Sequence, residues 1–135
     1  MMHEHWEEVA HDKAEVPLDP DWDQYLALEA QGQFRVRTYR VDGALAGYLW
    51  CFVKPHLHYK STLHAFTDIY YVDPLWRGYG GYLMFKKWLR EMQALGVRKV
   101  YIADKLHMRG GKASIPGLFS RLGFREVEVV HTILL

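Results

Sequence analysis

The chain is expected to form a single α/β domain, residues 1–135, with a central mixed, mostly antiparallel sheet flanked by helices. Three observations predict this class. A strand, a glycine turn and an amphipathic helix follow one another between Thr67 and Leu95. Two strand-like segments, Phe34–Val41 and Ala44–Val53, are joined by an Asp-Gly pair typical of hairpin turns. The 135 residues, half of them hydrophobic, suffice for one buried core.

The run from Thr67 to Leu95 organises the rest of the chain. Its first part, Thr67–Val72, is β-branched and aromatic and predicts a buried strand. Asp73 and Pro74 end that strand, because proline has no amide hydrogen for a sheet. Apolar residues at helical spacing then predict a helix that ends at Gly96.

Three glycines lie between this strand and this helix, within Arg77–Tyr82 (RGYGGY). Glycines let backbone amides approach a ligand, and the helix dipole adds partial positive charge at the same place. A phosphate is therefore the expected ligand. A P-loop would need Gly-Lys followed by Ser or Thr, and a dinucleotide fingerprint would need glycine where Leu83 stands, so neither motif fits.

The run resembles the acyl-CoA motif of the GCN5-related N-acetyltransferases, written V-x-P-x-x-R-G-x-G-x-G/A. The matching residues are Val72, Pro74, Arg77, Gly78 and Gly80. The segment LFSRLGF at 118–124 is similar to the family's closing helix-to-strand signature. The resemblance implies a sheet splayed beside the strand that binds acetyl-CoA. It also implies that the strand hydrogen-bonds the pantetheine arm while the loop amides bind the diphosphate.

The resemblance assigns acetyl-CoA as co-substrate and predicts which residues contact it. They are Tyr71, Val72, Arg77, Gly78, Tyr79, Gly80, Gly81 and Tyr82. Tyr82 departs from the family pattern, which has Gly or Ala there, so its side chain must point away from the phosphates or change the bend of the loop. The alternative interpretation of the glycines is that they only form a tight turn.

The function implied is an N-acetyltransferase that moves an acetyl group directly from acetyl-CoA to a primary amine of an unidentified acceptor. Asp68 is the candidate base, since it lies in an apolar strand on the face shared by Phe66, Tyr70 and Val72. Desolvation there would raise the pKa of the carboxyl toward neutrality. The alternative is a structural carboxylate bonded to backbone or to an arginine.

The proton donor for the departing thiolate is not evident. The family often uses a tyrosine in the closing helix, and its position is occupied here by Phe119. Tyr70, Tyr101, Ser114 or a water are the remaining candidates, and Tyr70 is preferred; the alternative is that the thiolate leaves unassisted, which a thiol pKa near ~8.5 permits at some cost. Phe119 and Tyr82 also favour an alternative function, a non-catalytic acyl-CoA-binding or partner-binding module.

A polar segment, Lys54–His64, is predicted to be a loop that runs into the cofactor strand. Its His56, His58 and Tyr59 are expected to line the acceptor pocket, or else to be solvated loop residues. No set of Cys, His or carboxylate residues has a spacing that specifies zinc, so no metal is expected. Lys86, Lys87 and Arg90 on the main helix are either a solvated face or contacts for the ribose phosphate of CoA. Arg109 and Lys112 are candidates for the same phosphate or for an acidic substrate.

Composition limits the partners. Seventeen Lys and Arg balance sixteen Asp and Glu, which argues against nucleic acid. The single Cys51 excludes an internal disulfide, is expected to be a core residue and fits a reducing cytoplasm. No apolar stretch reaches membrane-spanning length and the acidic amino terminus is no signal peptide, so a soluble cytoplasmic protein is expected. Homodimers are frequent in the family.

The remaining predicted elements complete the chain. The family usually has a strand before the first helix, and that strand is expected to be missing here or formed differently. The other elements are a helix in His3–Lys13, a helix from Trp22 to Gly32, a strand Val97–Asp104, a loop Lys105–Lys112, a helix Ser114–Leu122 and a final strand Phe124–Leu135.

Overall fold

A computed structural model describes residues 1–105 and 115–135 of the chain. Its strands form one sheet in the order β1-β2-β3-β4, antiparallel between the first three strands and parallel between the last two. The predicted mixed, mostly antiparallel sheet is thus confirmed. The elements are α1 (Met2–Val9), α2 (Trp22–Ala30), β1 (Phe34–Val41), β2 (Ala44–His56), β3 (Tyr59–Val72), a 3-10 turn (Pro74–Trp76), α3 (Tyr79–Ala94), β4 (Lys99–Tyr101) and α4 (Ile115–Arg121).

The hairpin between β1 and β2 forms where the sequence predicts it. Asp42 and Gly43 both have positive φ, 48° and 83°, as a two-residue hairpin turn requires. β1 pairs along its whole length with the first part of β2, from Ala44 to Phe52, with one irregularity between Tyr39 and Arg40.

The core lies between the sheet and α3. Alternate residues of β2 meet a stripe of large side chains on α3, which contains the fully buried Phe85, Trp88 and Met92. The indole nitrogen of Trp88 donates a hydrogen bond to Sγ of Cys51 at 3.3 Å. Cys51 is therefore a core residue, as predicted, and burial raises the pKa of its thiol.

The opposite face of the sheet carries α1 and α2. Tyr25 of α2 packs against Phe34, at 4.8 Å between ring centroids, and against Trp50. His5 of α1 is buried and shares a hydrogen bond of 2.7 Å with the hydroxyl of Tyr48. Both helices are thus held by aromatic packing.

Two predictions in the first half of the chain are wrong. The first helix ends at Val9, not near Lys13, because Lys13 folds back and its ammonium donates to the carbonyl of Glu7 at 2.6 Å. The predicted loop Lys54–His64 is a continuation of the β2–β3 hairpin, with a turn at only two residues. Polar residues can continue the two strands there because the backbone forms the hydrogen bonds of the sheet, while the side chains alternate between its two faces.

The carboxyl-terminal region also differs from the prediction. The predicted strand Val97–Asp104 is reduced to the three residues of β4. Residues 124–135, predicted as a strand, form neither helix nor strand, because no strand of the described sheet pairs with them. Phe124 packs against the core, whereas the apolar side chains from Val127 onward are exposed. Ser114, Arg109, Lys112 and most of the predicted loop Lys105–Lys112 lie outside the described residues.

Candidate acyl-donor site

Strands β3 and β4 separate after a short parallel contact. Their pairing begins with His64 opposite Lys99 and ends with Phe66 opposite Tyr101. Just beyond this contact, Trp50 pairs with Ile69 and Cys51 with Thr67, which leaves Asp68 as the extra residue of a β-bulge. A bulge bends its strand and increases the local twist. The bulge therefore opens the sheet between β3 and the chain that follows β4.

The bulge changes which side chains share a face with Asp68. Tyr70 packs against Phe85 and Phe119 on the side of the sheet that carries α3. Asp68 instead reaches α2, where the hydroxyl of Tyr25 donates to its Oδ2 at 2.6 Å. The prediction that Asp68 shares a face with Tyr70 and Val72 is wrong, because one extra residue reverses the alternation. Its predicted desolvation is wrong too, since the side chain is exposed.

Tyr70 spans the opening between the two strands. Its hydroxyl donates to the backbone carbonyl of Ala103, after β4, at 2.9 Å. Burial, with the negative charge of Asp104, raises the pKa of Tyr70, so this hydroxyl keeps its proton at neutral pH. Phe119 is buried beside it and offers no hydroxyl. Tyr101, the other tyrosine considered as proton donor, stacks on Phe66 at 4.8 Å.

The glycine turn leads into α3 as the sequence indicates. Gly78 precedes the helix with φ 81° and ψ −104°, a backbone conformation that favours glycine. The first helical hydrogen bond runs from the amide of Tyr82 to the carbonyl of Gly78 at 3.0 Å, and no side chain caps the helix. The amides of Tyr79, Gly80 and Gly81 therefore lie ahead of the first helical bond and point out of the helix. Such amides, aided by the helix dipole, bind anions.

The two helical glycines have different surroundings. A Cβ on Gly80 would lie 3.0 Å from the ring of Tyr39, which packs against the start of α3. A Cβ on Gly81 would lie 3.9 Å from Val72 and Leu118, an ordinary contact. The contact with Tyr39 thus explains in part why glycine occupies position 80, and the sequence did not indicate this contact. The alternation of β1 placed Tyr39 on one face, but nothing local indicated what it contacts.

Tyr79 and Tyr82 extend away from the start of α3, where Gly80 and Gly81 are themselves buried. Tyr79 is 74% exposed. The ring of Tyr82 lies 5.4 Å from the ammonium of Lys86, one turn further along α3. Its side chain therefore extends along the flank of the helix and not over the open amides.

Arg77 holds α1 against the turn. Its Nε donates to the carbonyl of Val72 at 2.9 Å, and its Nη2 donates to a carboxylate oxygen of Glu8 at 2.6 Å. The guanidinium also lies 5.5 Å from the ring centre of Tyr71, and the bond to Glu8 raises the pKa of Arg77. The side chain is therefore engaged within the protein. Glu8, 69 residues away in sequence, carried no signal that would have predicted this pair.

The predicted acceptor residues lie together but far from the bulge. His56 is 5.1 Å from His58 and 5.3 Å from Tyr59, measured between ring centroids, at the turn between β2 and β3. Tyr59 and Asp68 are nine positions apart on β3, which corresponds to about 30 Å at ~3.3 Å per residue. The structure does not bring these three residues together with Asp68 or the glycine turn.

Two further properties concern metals and membranes. Across residues 1–105 and 115–135, no group of three or more His, Cys, Asp or Glu side chains is arranged to hold a metal ion. In the same part of the chain, no helix is both long and apolar enough to cross a bilayer.

The model of the acetyltransferase (GNAT) family matches residues 1–124. The chain belongs to the GNAT family. The GNAT fold accounts for the open sheet and for the glycine turn at the start of α3, and it confirms the fold predicted from the sequence. No curated protein matches the chain significantly.

Solved structures with similar folds include acetyltransferases of several kinds, and also a transcriptional regulator from Bacillus halodurans. An acetyltransferase from Trypanosoma brucei has a TM-score of 0.65 and 19% identity, over 98% of this chain and 92% of that one. An aminoglycoside acetyltransferase from an uncultured soil metagenomic sample has a TM-score of 0.67 and 17% identity, over 91% and 79%. Ribosomal-protein-alanine N-acetyltransferase from Brucella melitensis has a TM-score of 0.62 and 17% identity, over 87% and 82%. At these identities the likeness concerns the GNAT fold alone.

Proposed function

We propose that this GNAT protein transfers an acetyl group from acetyl-CoA directly to a primary amine, without a covalent enzyme intermediate. Family membership supports acyl transfer in general. The observation that carries the proposal is the uncapped start of α3, which lies at the end of the strand that splays from β4. A diphosphate suits these open amides, and the single Cys51 is buried in the core, where it is not placed to act as a nucleophile.

The donor site consists mainly of backbone. The amides of Tyr79, Gly80 and Gly81 bind the diphosphate, and the last residues of β3, Tyr71 and Val72, present their backbone to the pantetheine arm. Arg77 contributes by fixing the turn, since its side chain is bonded to Val72 and to Glu8. When bound, acetyl-CoA supplies an activated thioester.

Asp68 is proposed to bind the amine and remove its proton, directly or through water. The bulge projects its carboxylate to the exposed side of β3, where Tyr25 holds one oxygen at 2.6 Å. Burial and then the bond to Asp68 raise the pKa of Tyr25, so its hydroxyl remains a donor. A carboxylate held in one orientation by a tyrosine suits a positioned base.

Tyr70 is proposed to stabilise the departing thiolate by a hydrogen bond. Because burial raises the pKa of Tyr70 well above that of a thiol, about 8.5, complete proton transfer to the sulfur is unfavourable. The hydroxyl now bonded to Ala103 would turn toward the sulfur, and the thiolate would leave without full protonation.

The acceptor is proposed to be a small-molecule or peptide amine. One structural neighbour is named as an aminoglycoside acetyltransferase and another as a ribosomal-protein-alanine N-acetyltransferase. His56, His58 and Tyr59 contact the acceptor only if it extends about 30 Å along β3, as a peptide can. The single buried Cys51 supports a cytoplasmic location as part of this proposal.

The test is release of free thiol from acetyl-CoA in the presence of a panel of primary amines. Asp68→Asn is expected to lower kcat/KM by roughly 10²- to 10⁴-fold, as loss of a general base does. Asp23→Asn, on the exposed surface of α2, is the matched control and should leave the rate unchanged. Equal rates for the two variants would show that Asp68 is not the base.

A second candidate function is a non-catalytic acyl-CoA-binding or partner-binding module. The buried Phe119 favours it, because this position beside Tyr70 lacks the hydroxyl that the family often uses. This alternative predicts that acetyl-CoA binds while no amine in the panel causes thiol release.

A further inference from the structure

Three aromatic side chains, Trp22, Tyr25 and Trp50, lie together on the face of the sheet that carries α2, and we call them the aromatic cluster. Trp22 and Tyr25 lie 6.0 Å and 5.2 Å from Trp50, measured between ring centroids, and 6.2 Å from each other. The ring planes are inclined to one another by 47° to 76°. The three rings therefore do not stack flat on one another but present faces in different directions.

Trp22 is the most open member of the aromatic cluster. It is 52% exposed, although tryptophan is highly buried on average. Tyr25 and Trp50 are half-buried, and Tyr25 also packs against Phe34. The contacts of Trp22 within the cluster thus leave about half of this side chain available to a ligand.

The aromatic cluster adjoins the proposed base. Trp50 pairs with Ile69, next to the bulge at Asp68, and the hydroxyl of Tyr25 donates to Oδ2 of Asp68 at 2.6 Å. Because Trp22 lies 6.2 Å from the ring centre of Tyr25, its ring is at most about 12 Å from the Asp68 carboxylate. A single small acceptor can therefore contact both Asp68 and Trp22.

The surroundings of Trp22 suit a positively charged group. Tryptophan is the aromatic side chain that attracts a cation over its face most strongly, and groups of aromatic rings bind quaternary ammonium ions in this way. No lysine or arginine occurs in residues 14–34, which include all of α2, so no basic side chain of this segment repels a cation. A carboxylate and an aromatic surface, each able to bind a positive charge, thus lie side by side.

We infer that the acceptor carries a second positive charge, which the aromatic cluster binds, chiefly through Trp22, while Asp68 binds the amine that is acetylated. This inference rests on the proposed acetyl transfer and adds a substrate class to it: primary amines with a separate cationic group up to about 12 Å away. The reacting amine loses a proton to Asp68 and forms the amide as the thioester C–S bond breaks, and the second charge is unchanged. Trp22 determines specificity and takes no part in bond formation.

The experiment compares two acceptors of equal shape that differ in charge. In one, a hexyl chain joins a primary amine to a trimethylammonium group, and in the other it joins the amine to a neutral tert-butyl group. Thiol release from acetyl-CoA gives kcat/KM for each. The charged acceptor is expected to have a kcat/KM roughly 3- to 30-fold higher, the range for a cation over an aromatic ring. The difference should appear in KM, because the second charge is bound equally before and during the transfer.

Three variants of α2 assign this preference to the ring of Trp22. Trp22→Leu keeps an apolar side chain but removes the aromatic face, and should bring the two acceptors to equal kcat/KM. Trp22→Phe restores an aromatic face and should recover part of the preference. Leu26→Ala, at another exposed position of the same helix, is the matched control and should keep the preference in full. Circular dichroism and thermal unfolding check that each variant is folded.

The outcomes separate this inference from the proposed function. Equal kcat/KM for the two acceptors in the unmodified protein, or a preference that persists in Trp22→Leu, would overturn the inference and leave acetyl transfer standing. If no amine causes thiol release, the proposed function fails, and calorimetry then measures binding of the same two amines. Binding of the charged amine alone, lost in Trp22→Leu, supports the cation site; equal binding of both, or binding of neither, overturns it.

Discussion

Acidification is expected to destabilise the protein through His5, the residue that fixes α1 to the sheet. The side chain is 7% exposed, shares a 2.7 Å hydrogen bond with the hydroxyl of Tyr48 and stacks on Tyr71 at 5.0 Å. The pKa of His5 is lowered from 6.5 to about 4, mainly by burial; Glu8 acts in the opposite direction, and the positive charges of Arg77 and Lys105 also lower the pKa. The buried ring is therefore neutral in the folded protein at mildly acidic pH.

The sign of the effect follows from proton binding. Between the unfolded pKa of 6.5 and the folded pKa of about 4, the unfolded chain binds a proton at His5 and the folded chain does not. The free energy of unfolding therefore falls as pH falls through this window. At 1.36 kcal/mol per pKa unit, the loss from His5 is about 3 kcal/mol between neutral pH and pH 4.

Urea unfolding followed by tryptophan fluorescence, across this pH range, measures the loss. His5→Gln lowers stability at neutral pH but removes the contribution of His5 to the pH dependence. His3→Gln, an exposed position of the same helix, is the matched control and should leave the pH dependence intact. An unchanged slope in His5→Gln would refute the assignment, as would a wild-type protein whose stability is flat from neutral pH to pH 4.

Two further substitutions test contacts around the site. Gly80→Ala pushes its Cβ against the ring of Tyr39 and should be less stable than Gly81→Ala by about 1 kcal/mol in the same unfolding assay. Equal stabilities would contradict the close contact, and adding Tyr39→Leu to both variants should remove the difference. Tyr25→Phe removes the hydroxyl that holds Asp68 and should lower kcat/KM roughly 10- to 100-fold, since hydrogen bonds to charged groups contribute ~1.5–3 kcal/mol. An unchanged rate would mean either that Asp68 takes no part in catalysis or that its role does not depend on the bond from Tyr25.

Local features of the fold were predictable from the sequence. The hairpin at Asp42-Gly43 depends on the backbone preferences of two residues, and the glycine turn at Gly78 depends on one positive φ. The main helix depends on apolar residues at helical spacing, whose side chains are packed in the core. In each case the physical cause lies within a few residues, so the sequence pattern is sufficient.

Features that depend on distant partners were not predictable. The bulge at Asp68 exists because β2 and β3 pair out of step at Trp50 and Cys51, and neither strand alone shows it. The orientation of Arg77 depends on Glu8. Residues 124–135 have a strand pattern, but no strand of the described sheet pairs with them. Sequence patterning indicates which backbone can form a strand but not whether another strand is there to receive it.

Thermal unfolding with and without acetyl-CoA measures donor binding at α3 most directly. Acetyl-CoA at ~100 times its Kd should add about 2.7 kcal/mol of stability, seen as a higher Tm. Tyr79→Pro removes one of the open amides at a position where helices tolerate proline, and should reduce the shift, whereas Tyr79→Ala keeps the amide and should preserve it. No shift with acetyl-CoA, or equal shifts in the two variants, would contradict a diphosphate site formed by these amides.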